Sequence, residues 1–191
     1  MDRLVIVPDE KLEPLVLSLK ARLSAIVGEV RAENIADVIG EDTRLLPTLA
    51  QGGAGQELLL WARSARAFLA AWTSRPFDAI AGVATADLDV GLISQVFASG
   101  KSVLQAGAEV QANQWTNLEE TRGQVIDGMA ASPVFIFGKC AAALALAAYR
   151  GEGNSSAVTH EGLARLAEAA SVVGRLLEDR LLRATLGFEL L

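Results

Sequence analysis

Cysteine is almost missing from this chain. Cys140 is the only one, so no intrachain disulfide can form, and the composition suits a reducing, cytoplasmic setting. Histidine is equally scarce. With His160 alone and one distant cysteine, the usual ligand set of a structural zinc site cannot be assembled, and no metal or cofactor is expected. Positive charge is in deficit: 17 Lys and Arg against 23 Asp and Glu leave a net charge of −6. No basic cluster stands out, so a nucleic-acid backbone is not an expected partner. Long apolar runs are lacking too. The most apolar stretch, residues 134–149, is interrupted by Gly138 and Lys139. It falls short of the roughly 20 residues a spanning helix needs, so no membrane span is expected. The start, Met1-Asp2-Arg3-Leu4-Val5-Ile6-Val7-Pro8, lacks the basic residues and long apolar core of a secretory signal.

What is present is alanine. The 191 residues include 33 of them, while aromatics make up only 5%. Alanine has the best helix propensity and little bulk, which favours closely packed helices. Leu12, Val16, Leu19, Leu23, Ile26 and Val30 recur with gaps of 4, 3, 4, 3 and 4, one helical stripe. Leu163, Leu166, Ala170, Val173 and Leu177 repeat the pattern near the C-terminus, behind Thr159 as a candidate cap. Each stripe either faces its own core or packs in a bundle across a two-fold axis. The alternation of 3 and 4 favours the bundle. Its interface candidates are Leu12, Val16, Leu19, Leu23, Ile26, Leu166, Val173 and Leu177.

Between the stripes, residues 56–72 read as a helix, 77–85 as a strand and 90–97 as a helix closed by Gly100. Residues 102–105 read as a strand and 118–129 as a helix. Two apolar runs around Gly138-Lys139, residues 133–137 and 140–149, read as a hairpin, although alanines are poor strand formers.

Three stretches resemble a GAF domain. They are VGLISQVFASGKSVLQ at 90–105, SPVFIFGKCAAALALAAYRGE at 132–152 and AVTHEGLARLAEAASVVGRLLEDRLL at 157–182. They are similar, in order, to the family's helix, turn and strand, its two central strands, and its capped terminal helix. The resemblance covers residues 77–191. It implies an α+β fold with a central antiparallel sheet flanked by helices, and long N- and C-terminal helices forming a bundle. It also implies a single domain over 1–191, here with a helical extension of about residues 1–75. The family's first two strands have no evident counterpart in residues 40–76. Its cyclic-nucleotide motif is not recognisable. Cys140 is followed by Ala141 rather than the histidine common at bilin attachment sites.

Function follows from the same resemblance: a non-catalytic sensory or regulatory module that dimerises through its terminal helices. It would signal to a partner protein and take a small-molecule ligand. Trp115 with Arg122 suits an anionic ligand, and Phe97, Phe135 and Phe137 complete the candidate pocket. No enzyme is expected, since no Gly-x-Ser-x-Gly elbow or assembled acid and base occurs. Gly100-Lys101-Ser102 is not a phosphate loop, because Gln95 stands where the motif needs glycine. Gly52-Gly53-Ala54-Gly55 reads as a plain turn. The competing reading is a mainly helical scaffold, resembling phasin-type granule proteins. It requires a helix, not a hairpin, through residues 141–149.

Overall fold

The computed structural model describes residues 56–74, 84–106, 116–151 and 158–186. The first interface stripe, from Leu12 to Ile26, and all but the last two residues of the candidate strand over 77–85 lie outside these residues.

Among the described residues six strands form one antiparallel sheet: β1 (Gln56–Arg63), β2 (Phe68–Thr73), β3 (Thr85–Ala86), β4 (Val103–Ala106), β5 (Ile126–Ile136) and β6 (Lys139–Tyr149). Their order is β3-β2-β1-β6-β5-β4. The same described residues hold three helices: α1 (Gly91–Ser99), α2 (Leu118–Arg122) and α3 (His160–Leu186).

The expected helix over residues 56–72 is instead the β1–β2 hairpin. β1 is buried on both faces: Leu58, Leu60 and Ala62 join the core beneath α3, while Leu59 and Trp61 join the core beneath α1. A strand covered on both sides is apolar at every position, so its period of two is hidden and it resembles a buried helix. The turn is equally concealed, because it contains no glycine or proline. Ser64 makes it: its Oγ donates to Ala67 O at 2.7 Å and accepts from Ala67 N at 3.2 Å. Any helical extension at the N-terminus therefore stops before residue 56.

The β5–β6 hairpin is present, and a helix through residues 141–149 is not, which removes the helical-scaffold reading. Its turn is Phe137-Gly138, with φ of 48° and 78°. Two consecutive positive φ values match the right-handed twist of the flanking strands. Alanine is tolerated in β6 because β1 supplies the bulk opposite: Trp61 faces Ala143 and Leu59 faces Ala145.

α1 ends at Gly100, φ 62°, whose N–H donates to Val96 O at 2.9 Å. The helix expected over residues 118–129 is cut to α2 by Gly123, φ 64°. Glu119 Oε1 then accepts the Ile126 N–H at 2.6 Å, and the chain leaves as β5.

α3 crosses the opposite face. Thr159 Oγ1 accepts the Gly162 N–H at 3.1 Å and caps its first turn. Gly174 lets it descend onto β5, since a Cβ there would sit 2.5 Å from Phe135 O. Leu166, Val173 and Leu177 are buried against the chain's own sheet. This corrects their assignment to a dimer interface: the stripe is consumed within one molecule, because a lone sheet face must be covered. The outward face of α3 carries exposed Val172 and Leu176 instead.

Candidate functional site

Glu57 opens β1 on the α1 side and is completely buried. An uncompensated carboxylate there would be prohibitively costly. Four donors meet it. Arg122 Nε reaches Oε2 at 3.0 Å and the Tyr149 hydroxyl donates to the same oxygen at 2.6 Å. Arg122 Nη2 and Thr73 Oγ1 donate to Oε1. Arg122 Nη2 also reaches Thr73 Oγ1 at 3.3 Å. Burial by itself would lower the Arg122 guanidinium, but hydrogen bonding and the charge of Glu57 outweigh it and hold the pKa above its ordinary value. The cluster joins β1, β2, β6 and α2. Glu57, Thr73 and Tyr149 were not singled out from the sequence, since nothing local marks side chains that meet across three strands.

Four residues further along β1, on the same face, Trp61 is fully buried. Its Nε1–H has no acceptor among the described residues. Its cross-strand neighbours are Ala70 and Ala143, so small side chains flank the indole. Buried donors are nearly always paired, and an orphan calls for an explanation.

The sequence-derived pocket residues do not converge. Arg122 lies in the charged cluster. Phe97 stacks on Phe68 with ring centroids 4.4 Å apart, a core contact rather than a free wall. Phe137 occupies the hairpin turn and packs on the α3 side. Phe135, 43% exposed, lines a groove on that side with α3. Trp115 lies outside the described residues. Phe135 and Phe137 thus lie on the α3 side and Phe97 on the α1 side, so the candidates are divided between the two layers of the sheet. Cys140 is half-buried, and burial pushes its thiol up to about 11, leaving it protonated at neutral pH. Among the described residues, no group of three His, Cys, Asp or Glu side chains could hold a metal. No described helix is long and apolar enough to cross a membrane.

The fold is similar to that of solved structures. The GAF-B domain of DevS from Mycobacterium smegmatis superposes with a TM-score of 0.53 at 15% identity, covering 81% of this chain and 98% of that one. The fold is GAF-like. The GAF domain/HD domain protein from Geobacter sulfurreducens gives a TM-score of 0.50 at 13% identity, covering 79% of this chain and 96% of that one. Type II free methionine-R-sulfoxide reductase from Thermoplasma acidophilum gives 0.51 at 12% identity, covering 78% and 94% respectively. That likeness corrects the expectation that the chain is not an enzyme: this GAF-like fold also carries a reductase, so it does not mark a chain as non-catalytic. No protein-family model and no curated protein matches the sequence.

Proposed function

We propose that this GAF-like domain is a sensory or regulatory module that binds a small molecule on the α1 side of its sheet. Occupancy is passed to a partner protein by a homodimer whose contact runs along the outward face of α3. The observation carrying the ligand reading is the orphaned Trp61 indole N–H. Leaving it unpaired costs about 1–3 kcal/mol, which a ligand bearing a carbonyl or carboxylate oxygen would recover. Glu57 and Arg122, already saturated by their neighbours, fix the strand that carries Trp61. Exposed Val172 and Leu176 on α3 support the dimer contact. A ligand favouring one packing of that contact shifts its population.

The test is a thermal-shift screen of carbonyl- and carboxylate-bearing small molecules against the wild type and Trp61→Phe. Binding to the folded state raises Tm by mass action. A rise in the wild type that is lost in Trp61→Phe supports the reading. Equal shifts in both, or none in either, end it. Sedimentation velocity tests the dimer: Val172→Glu with Leu176→Glu should give a monomer, and a monomeric wild type removes the proposal.

A further inference from the structure

A groove of about 430 Å3 lies between α3 and the β4–β5 end of the sheet. It belongs to the α3 layer, whereas Glu57 and Trp61 face α1, so what it binds is independent of the ligand proposed above. Its volume falls within the range of small-molecule sites.

The groove is built by two local features. Ser171, Arg175 and Glu178 recur along α3 with gaps of 4 and 3, which sets them on one helical face. Ser132 and Phe135 are three apart on β5, a spacing that normally points side chains to opposite faces. The register shift between Val134 and Phe135 breaks the alternation, and both residues line the groove.

The lining has three chemical parts. Arg175 is exposed and makes no ion pair among the described residues, so its guanidinium fork is open to a carboxylate. The Ser102 and Ser132 hydroxyls share one hydrogen bond at 2.9 Å, which leaves the accepting hydroxyl its own hydrogen to donate. Ser171 adds a third hydroxyl. The Phe135 ring, 43% exposed, offers a flat apolar surface in the same groove. Glu178 also lines it. Its Oε1 accepts the Phe137 N–H at 2.6 Å, and a carboxylate in the lining disfavours a doubly charged guest.

We propose that this groove is a binding site for an aryl monocarboxylate. Arg175 and the serine hydroxyls hold the carboxylate, Phe135 takes the ring, and Glu178 selects against dianions such as phosphate monoesters.

The experiment titrates the full 15N-labelled chain with sodium benzoate, sodium acetate, benzyl alcohol and phenyl phosphate. Benzoate should move the amides of Ser102, Ser132, Ser171 and Arg175 saturably, with Kd in the low-millimolar range or tighter, about 1 mM corresponding to weak specific binding. The other three probes should bind at least about tenfold more weakly, a factor that reports one good contact. Arg175→Gln and Phe135→Ala should each weaken benzoate by a similar factor. Arg165→Gln, which removes the cation paired with Glu161 elsewhere on α3, should leave it unchanged. No saturable shift at these amides overturns the proposal. So does benzyl alcohol or phenyl phosphate binding as tightly as benzoate, wild-type affinity in Arg175→Gln, or an equal loss in Arg165→Gln.

Discussion

The Tyr149 hydroxyl donates to Glu57 Oε2 at 2.6 Å, joining the last residue of β6 to the second residue of β1 across 92 positions of sequence. Through Arg122 the same carboxylate reaches α2. One buried anion thus ties three parts of the chain that share no local signal, and its removal should be felt in all of them.

Breaking the cluster from either end is expected to be costly but unequal. Arg122→Ala strands the Glu57 charge and should destabilise by about 3–5 kcal/mol. Tyr149→Phe removes one hydrogen bond to a charged acceptor and should cost about 1.5–3 kcal/mol. Urea denaturation of the two variants and of the double mutant checks this. The double mutant should lose less than the sum, since both groups act on Glu57.

Gly174 and Gly162 both lie in α3, and the structure assigns them opposite responses to alanine. A Cβ at Gly174 would sit 2.5 Å from Phe135 O, a backbone atom that cannot swing aside. Gly174→Ala should therefore destabilise by about 1–3 kcal/mol through overpacking. At Gly162 the nearest contact is Thr159 Oγ1 at 3.5 Å, an ordinary distance. Gly162→Ala should be neutral or stabilising by up to about 1 kcal/mol, the difference in helix propensity. Thermal melts of both variants decide it.

Thr159 closes the first turn of α3 through the Gly162 N–H. Thr159→Ala should cost about 1 kcal/mol, while Thr159→Ser should keep the bond and most of the stability. A loss of equal size in both would mean that the methyl group, not the cap, carries the effect.

Cys140 gives a pH dependence with a defined sign. Burial raises its thiol from 9.0 to about 11, so the unfolded chain releases this proton before the folded one does. Below pH 9 the thiol is neutral in both states and its contribution to stability is complete. Between 9 and about 11 the unfolded state alone ionises, and stability falls. Cys140→Ala should flatten that part of the stability profile. Alkylation by iodoacetamide at pH 7.5 should be slow in the native protein and fast in urea.

Much of the layout was legible in the sequence because it rests on local signals. Gly100 as a left-handed stop, Thr159 as a cap, the Gly138 turn and the apolar stripe of α3 each follow from the geometry of a few consecutive residues. The GAF-like likeness drew on those same stretches. The sequence was misleading where a strand is covered on both faces. β1 carries no alternation to read, and the Ser64 turn contains no glycine or proline, so the first hairpin resembled a helix.

By itself, then, the sequence determined where α1 stops and α3 begins, that a hairpin turns at Gly138, and that α3 must bury one face. Only the tertiary structure decided what that face covers, namely the chain's own sheet rather than a second copy's helix. It alone also brought Glu57, Thr73, Arg122 and Tyr149 to one point and left the Trp61 N–H without an acceptor. The physical reason is range. Capping and turn preferences act over a few residues, whereas a buried charge finds its partners through strand pairing and layer packing, which join positions far apart in sequence.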